Sequence, residues 1–169
     1  MHTLYVGLGS NEGKRVATLR RALYQLSLAF GAPLDHSGVY LTAAWGETDQ
    51  ADFLNLVATY SSDRPPLEIL HTLLRIEHSA GRRRRRKRWG PRTLDLDLLV
   101  YGPYQLDTPA LQLPHPRLAE RNFVLAPLAE LHPDLLIPGY TETVRTLYTN
   151  SPDPLAVERL ADSPAGLID

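Results

Sequence analysis

The stretch that decides the fold is residues 93–101, TLDLDLLVY, in which acidic and apolar side chains alternate. Alternation over this length is typical of a β-strand with two different faces, because successive side chains point to opposite sides. Asp95 and Asp97 therefore share one face of the predicted strand, and the leucines at 94, 96 and 98 share the other.

The segments before this strand predict an alternation of strands and helices. Apolar, β-prone segments predict three further strands, at residues 3–8, 39–42 and 53–60. Apolar residues at helical spacing predict a helix over 16–30, for which Ser10 or Asn11 is the expected N-cap. A second helix is expected from Pro65 and Pro66 to residue 78, since proline suits the first turn.

The segments after the strand predict additions to this core. Residues 103–116 predict a short hairpin or an extended loop, and residues 117–131 predict a helix interrupted near Pro127. A short helix is expected around Leu147, before an acidic tail over 151–169 whose role the pattern does not reveal.

The order β-α-β-β-α-β is typical of the split-βαβ, ferredoxin-like α+β sandwich. We therefore expect an antiparallel sheet with the first two helices on one face. The C-terminal helices are expected to cover the other face, which gives three layers, α-β-α.

The composition of the chain limits the classes of function. Its 169 residues fit one domain over 1–169, and its 43% hydrophobic content is sufficient for a core. With no cysteine, a disulfide framework, a thiolate metal site and a cysteine nucleophile are excluded. No apolar stretch approaches the roughly 20 residues of a membrane span, and the N-terminus lacks the features of a secretory signal. We therefore expect a cytoplasmic protein without membrane contact.

The net charge of −1 hides an uneven distribution. Residues 82–92, RRRRRKRWGPR, hold eight of the 18 basic residues and no acidic residue. The remainder, with 10 basic and 19 acidic residues, argues against a broad nucleic-acid-binding face. The basic segment is either a solvated loop or a loop that meets a polyanion.

The carboxylates at 95 and 97 have two interpretations. Neighbouring carboxylates repel each other unless a cation lies between them, and Mg²⁺ is commonly held by one or two carboxylates, waters and substrate phosphates. The alternative is an ordinary strand with a solvent-facing acidic edge. The nearby arginines favour the first interpretation, because a metal site and phosphate-binding arginines are what phosphoryl transfer requires.

Other motifs carry weaker signals. The segment 7–13, GLGSNEG, lacks the glycine or lysine that a dinucleotide fingerprint or a P-loop requires, so its glycines are interpreted as structural. The six histidines show no zinc or triad spacing, although His115 lies between two prolines. Phe53 and Asn55 share one strand face and could bind a flat heteroaromatic ligand by stacking and edge contacts, or belong to the core.

Three sequence blocks resemble the 6-hydroxymethyl-7,8-dihydropterin pyrophosphokinases of folate biosynthesis. They are YVGLGSNEG at the start, DFLNLV in the middle, and RWGPRTLDLDLLVYG followed by LPHPRLAERNFVLAPLAEL. The resemblance covers residues 4–133 in the same order and spacing, and it implies a ferredoxin-like fold. It also implies transfer of pyrophosphate from ATP to the hydroxymethyl oxygen of the pterin, with release of AMP.

The resemblance implies a role for each matching residue. Asp95 and Asp97 match the ligands of two Mg²⁺ ions, and Arg82 and Arg92 match catalytic arginines that contact phosphate. Positions that match the site of the co-substrate ATP are Glu77, Arg84, Trp89, Leu98, His115 and Arg121. Positions that match the pterin site are Thr42, Trp45, Phe53, Asn55 and Phe123.

The chain departs from the family pattern in two places. In the loop after Thr42, Ala43, Ala44 and Trp45 replace the common prolines and leucine. The run 82–86 is uniformly basic, so the pattern does not decide which arginine closes on the phosphates. The expected partners are ATP and the pterin alone, bound by a monomer, without nucleic acid. The alternative class is an RNA-binding ferredoxin-like module with an arginine-rich loop, although the chain lacks the RNP1 pattern. A transferase with another acceptor is the second alternative.

Overall fold

The computed structural model of the chain describes residues 1–44, 49–81 and 93–169. The strands are β1 (His2–Ser10), β2 (Asp35–His36), β3 (Val39–Thr42), β4 (Phe53–Ser62), β5 (Asp95–Tyr101), β6 (Leu106–Asp107), β7 (Gln112–Leu113) and β8 (Val157–Ala161). The helices are α1 (Arg15–Phe30), α2 (Pro66–Ser79), α3 (Asn122–Leu131) and α4 (Val144–Thr149). Each predicted strand and helix therefore exists, with boundaries that differ by a few residues.

The main sheet of the described residues has the strand order β5-β1-β4-β3-β8, with β2 paired to β4. All its pairs are antiparallel. The ferredoxin-like prediction is confirmed, because the long strands β1, β3, β4 and β5 follow the order expected of a split-βαβ unit. Strands β6 and β7 form a short hairpin, which is the first of the two alternatives expected for residues 103–116.

Helices cover both faces of the sheet, which gives the predicted three layers. Leu4, Val6 and Leu8 of β1 point into a buried cluster with apolar residues of α1 and α2. On the opposite face, Tyr5 joins a second buried cluster with apolar residues of α3 and α4. The alternation of side chains along β1 therefore separates the two layers of helices. None of the helices in the described ranges has the length and apolar character needed to cross a membrane.

Two local predictions are wrong. Helix α1 begins after Lys14, and Ser10 lies within β1, so neither Ser10 nor Asn11 caps the helix. The amides of Val16 and Ala17 instead donate to the carboxylate of Asp169, at 2.6 and 3.0 Å. A side chain distant in sequence thus supplies the acceptor that unpaired amides at a helix start require.

The interruption expected near Pro127 occurs earlier. Residues 118–120 form a 3₁₀ turn, the backbone is extended at Arg121, and α3 then continues through Pro127. Pro127 lies inside α3 and has no N–H to donate to the carbonyl of Phe123, so α3 continues with this one backbone hydrogen bond missing.

The tail forms an edge strand that the acidic composition of 151–169 did not predict. Strand β8 pairs with β3 from Val157 opposite Thr42 to Ala161 opposite Val39. Beside this pairing, the carboxylate of Glu130 in α3 accepts hydrogen bonds from the Gly38 amide, the Tyr40 hydroxyl and the Arg159 guanidinium. Burial raises the pKa of Glu130, but these hydrogen bonds outweigh it and hold the pKa below its usual value.

Replacing Glu130 with alanine should lower the free energy of unfolding by about 1–3 kcal/mol, because the Gly38 amide and the Tyr40 hydroxyl lose their acceptor. Urea denaturation of the two proteins measures this difference. The control is Asp134→Ala, which removes an exposed ion pair with Arg145 and should change stability by less than about 0.5 kcal/mol. Equal effects of the two substitutions would contradict the importance of the Glu130 hydrogen bonds.

Candidate active site

The candidate site lies on the face of the sheet that α3 partly covers. Gly9 of β1 is opposite Asn55 of β4 on one side and opposite Asp95 of β5 on the other. Directly opposed residues of antiparallel strands point to the same face, so Asp95 and Asn55 flank a position without a side chain. Two strand spacings of about 4.8 Å separate their backbones by roughly 10 Å.

Further pairs of directly opposed residues along these strands point to the same face. Asp97 is opposite Gly7, and Phe53 is two residues from Asn55 and opposite Thr42. One face of the sheet thus carries Thr42, Phe53, Asn55, Asp95 and Asp97. The alternation of residues 93–101 predicted this common face for the two aspartates alone. Phe123, in the first turn of α3, is partly buried against the cluster on this face and so borders the same region.

The two aspartates line a cleft of about 480 Å³ at the β5 edge of the sheet. Its walls come from α2, the β6–β7 hairpin and the segment after it, and they include Glu77, Leu98 and His115. Pockets of roughly 300–1,000 Å³ are typical of small-molecule sites. The structure therefore brings together five residues that the sequence assigned to the metal and nucleotide sites.

Glu77 supports the strand that carries the aspartates. Its side chain is only 2% exposed, and its carboxylate accepts a 2.7 Å hydrogen bond from the amide of Leu96. Leu96 lies between Asp95 and Asp97, so this bond fixes the backbone from which both carboxylates project. This bond to the protein backbone gives Glu77 a positioning role beside its place on the cleft wall.

His115 is held as a neutral imidazole. Burial lowers its pKa to about 4, and the positive charges of Arg121 and Arg117 act in the same direction, against the opposing charge of Asp95. Its Nδ1 accepts a 3.2 Å hydrogen bond from the Arg117 amide. The ring proton of the neutral form is therefore on Nε2, which makes that atom a hydrogen-bond donor.

Arg121 places a buried positive charge near both aspartates. Its residue is 8% exposed, and its guanidinium lies 5.4 Å from the centroid of the Phe123 ring, within the range of a cation–π interaction. Burial lowers the pKa of Arg121, whereas the negative charge of Asp97 acts in the opposite direction. A guanidinium remains protonated in such surroundings and suits a phosphate anion.

Asn55 is oriented by its neighbours on the sheet. Its Nδ2 donates a 2.8 Å hydrogen bond to the Thr42 hydroxyl, which directs Oδ1 towards Gly9. A Cβ atom at Gly9 would lie 2.7 Å from that oxygen and 3.6 Å from a ring carbon of Phe53. The absence of a side chain at Gly9 therefore leaves room for the amide and for a flat ligand beside it.

The sequence pattern indicates only a structural role for Gly9 and does not predict the room it leaves for the Asn55 amide. Glycines at 7 and 9 lie two residues apart on a strand, and a glycine within a strand often marks the close approach of another group. Five predicted site residues, Trp45, Arg82, Arg84, Trp89 and Arg92, lie outside the described residues.

Comparisons with known proteins identify relatives of the chain. Residues 5–133 match the family model described as 7,8-dihydro-6-hydroxymethylpterin-pyrophosphokinase. A 2-amino-4-hydroxy-6-hydroxymethyldihydropteridine pyrophosphokinase of Methylorubrum extorquens is 43% identical over 95% of this chain and 99% of its own length. The protein of the same name from Synechocystis is 43% identical over 85% of this chain and 73% of its own length. These matches give the RNA-binding alternative no support.

Solved structures agree in fold. A crystal structure of HPPK-DHPS in complex with substrates has a TM-score of 0.71 at 14% identity, over 88% of this chain. A Plasmodium falciparum HPPK-DHPS triple mutant with pteroate has a TM-score of 0.69 at 15% identity, over 88% of this chain. The chain spans 45% and 43% of the length of these two proteins.

The low pKa of His115 predicts a pH dependence of stability. An unfolded histidine titrates near 6.5 and the folded one near 4, so the folded state binds the proton more weakly. The resulting stabilisation is complete above pH 6.5 and is lost as the pH falls towards 4, by up to about 3 kcal/mol. Measured without metal, the free energy of unfolding of the wild type minus that of His115→Asn should decrease as the pH falls from 6.5 to 4. A difference that is constant with pH would contradict the burial of a neutral His115.

Proposed function

Since the chain belongs to the 7,8-dihydro-6-hydroxymethylpterin-pyrophosphokinase family, we propose that it transfers pyrophosphate from ATP to the hydroxymethyl oxygen of 6-hydroxymethyl-7,8-dihydropterin and releases AMP. One observation supports this assignment above the others. Asp95 and Asn55 face the same side of the sheet across Gly9, so a metal–phosphate site and a heteroaromatic site are adjacent. A transfer between two bound small molecules requires such adjacency.

The pterin is proposed to bind on the Asn55 side of Gly9. Phe53 and Phe123 stack on the two faces of the ring, and Asn55 reads its polar edge. The supporting observations are the shared face of Phe53 and Asn55, the position of Phe123 at the border, and the hydrogen bond from Asn55 to Thr42. Because Thr42 fixes the Asn55 amide, that amide presents the same pattern of donor and acceptor to each incoming ligand.

ATP is proposed to occupy the cleft at the β5 edge, with its phosphates towards Gly9. The apolar wall that includes Leu98 suits a nucleoside, and the cleft volume of about 480 Å³ suits a ligand of this size. The Nε2–H of His115 and the guanidinium of Arg121 then donate to phosphate oxygens. Glu77 contributes by holding the strand at Leu96.

Asp95 and Asp97 are proposed to hold Mg²⁺, with two ions as the working number. The donor set fits this metal, since both groups are carboxylates that share one face and line the cleft. When bound, Mg²⁺ withdraws negative charge from the phosphate chain.

The residues of the chain contribute mainly positioning and charge in the proposed mechanism. The hydroxymethyl oxygen forms a bond with the β-phosphorus of ATP, the bond from that phosphorus to the bridging α–β oxygen breaks, and AMP leaves. Phe53, Phe123 and Asn55 fix the pterin so that its oxygen points across Gly9, which replaces a bimolecular encounter by an oriented one. The hydroxyl proton passes to solvent, because the described residues include no proposed general base at that oxygen. Arg121 and His115 bind the phosphates of ATP by donating hydrogen bonds to their negatively charged oxygens.

Further parts of the proposal concern residues outside the described ranges. Arg82 and Arg92 are proposed to contact the transferred phosphates, Arg84 and Trp89 to belong to the ATP site, and Trp45 to the pterin site. Their support is the position of each in the family motif and the eight positive charges of residues 82–92. We further propose one domain over 1–169 that acts as a cytoplasmic monomer, with no nucleic-acid or membrane partner.

The product assay tests the proposed function. Purified protein with ATP and Mg²⁺ should release AMP only when 6-hydroxymethyl-7,8-dihydropterin is present. Release of ADP would instead indicate a simple kinase. Salt-dependent RNA binding without pterin-dependent AMP would favour the RNA-binding module.

Replacing Asp97 with alanine should lower kcat by at least about 10³-fold, because a proposed metal ligand is lost from a site that depends on charge neutralisation. The thermal midpoint should change little, since Asp97 lies on a cleft wall and not in either core cluster. Asp134→Ala, which removes an exposed carboxylate, is the control and should retain full activity. Near-normal turnover of the Asp97 variant would refute the metal assignment.

Replacing Gly9 with alanine should weaken pterin binding by about tenfold or more. The new Cβ would lie 2.7 Å from Oδ1 of Asn55, which is too close, so the amide must move. Gly7→Ala is the matched control. It adds the same methyl group on the same strand face, where the nearest atom belongs to the Leu99 side chain, at an ordinary contact distance of 3.4 Å. Titration calorimetry with the pterin compares the two variants with the wild type. Equal pterin affinity of the Gly9 and Gly7 variants would contradict the role given to Gly9.

A further inference from the structure

The tail beyond residue 150 contacts the start of α3 through a pair of polar residues. The carboxylate of Asp153 accepts a 2.8 Å hydrogen bond from the Asn122 amide, the first amide of α3. The Asn122 side chain in turn donates to the backbone oxygens of Asp153 and Leu155, at 3.2 and 3.0 Å. These two residues, with Leu155, are referred to below as the tail clasp.

The tail clasp is itself a fixed structure. The other carboxylate oxygen of Asp153 accepts the Leu155 amide at 2.9 Å, and the Asp153 amide donates to the Ser151 hydroxyl at 3.2 Å. A carboxylate that accepts two backbone amides is strongly oriented, because charge-assisted hydrogen bonds are stronger than neutral ones. Asp153 also satisfies an amide that has no partner inside its helix, and places a negative charge at the helix start.

Asn122 lies between two residues of the proposed substrate sites, which connects the clasp to function. Its two chain neighbours are Arg121 and Phe123, which the proposed function assigns to ATP and to the pterin. The backbone at Arg121 is extended, and its carbonyl accepts the Val124 and Leu125 amides, so α3 holds this residue only from the C-terminal side. Contacts between Asn122 and the tail add to these helical bonds in fixing the junction that carries both neighbouring side chains.

The same tail segment also reaches the sheet side of the pterin site. Two residues after Leu155, Val157 pairs with Thr42, the hydroxyl acceptor of the Asn55 amide. Residues 153–157 thus bridge the first turn of α3 and the end of β3, which carry Phe123 and Thr42. The span is short and is hydrogen-bonded at both ends, so it sets the distance between the two walls.

We propose that the tail clasp is a positioning element for substrate binding: Asp153 and Asn122 hold Arg121 and Phe123 against the sheet residues Thr42 and Asn55. Neither Asp153 nor Asn122 contacts a substrate in this proposal, and it rests on the proposed function of Arg121 and Phe123. Asp95 and Asp97 lie on β5, at the other side of Gly9, so the clasp affects substrate binding more than the chemical step.

The test is the variant Asp153→Ala, compared with the wild type for the dissociation constants of the pterin and of MgATP and for kcat. We expect both dissociation constants to rise about tenfold, as for the loss of one charge-assisted hydrogen bond, while kcat at saturation changes by less than about threefold. Asp162→Ala is the matched control. It removes an aspartate of the same tail that bonds Arg159 and not Asn122, and should leave both constants unchanged.

Two further variants decide the question if Asp153→Ala folds poorly. Asp153→Asn keeps one acceptor oxygen for the Asn122 amide and should restore most of the affinity. Asn122→Ala removes both side-chain hydrogen bonds to the tail and should weaken pterin binding about threefold. Unchanged dissociation constants in folded Asp153 and Asn122 variants, or an equal loss in Asp162→Ala, would overturn the proposal. A wild type that releases no pterin-dependent AMP would refute the proposed function itself. An active wild type whose Asp153 and Asn122 variants bind both substrates normally would refute only this inference.

Discussion

The structure depends on the antiparallel pairing of β1 with both β4 and β5. This pairing fixes Gly9 between Asn55 and Asp95, because register in an antiparallel sheet determines which residues share a face and a row. A slip of one residue would turn the carboxylates of β5 into the core beneath α1 and α2 and would remove its leucines from that core. Burial of Leu4, Val6 and Leu8 under α1 and α2 therefore stabilises the fold and aligns the proposed site in one step.

On the face of the sheet that α3 and α4 cover, the first half of β1 is packed and the second half has no side chains. Tyr5 packs beneath α3 and α4, whereas Gly7 and Gly9 contribute no side chain. The packed half holds the α3 layer in place, and the glycine half gives room for groups from the neighbouring strands. Where α3 begins, Arg121 and Phe123 come to the boundary between the two halves. The site is thus formed where a packed core ends on an otherwise continuous sheet.

Much of this could be predicted from the sequence. The alternation of residues 93–101 predicted the strand and the common face of Asp95 and Asp97, and the order of elements predicted the ferredoxin-like sheet. Periodicity reports on local structure, and these features are local or follow from the order of local elements. The grouping of His115 and Glu77 at one cleft was expected only through the family motifs, since neither residue has a recognisable spacing to the aspartates.

What the sequence could not predict are contacts between distant segments. The cap of α1 is supplied by Asp169, and the start of α3 is held by Asp153, more than 30 residues away in each case. The edge strand β8 was missed because edge strands are short and mixed in polarity, so they lack a clear period. The buried state of His115 likewise depends on its surroundings in three dimensions, which the sequence around two prolines does not report.

The central claim is that a metal–phosphate site and a pterin site are neighbours across Gly9. The most direct measurement replaces Mg²⁺ by Mn²⁺, in the presence of a non-hydrolysable ATP analogue, and records the paramagnetic relaxation of the bound pterin protons. The account predicts strong relaxation of the hydroxymethyl protons, corresponding to a distance of about 10 Å or less, as two strand spacings allow. A bound pterin whose hydroxymethyl protons show no enhancement over a diamagnetic control would contradict it.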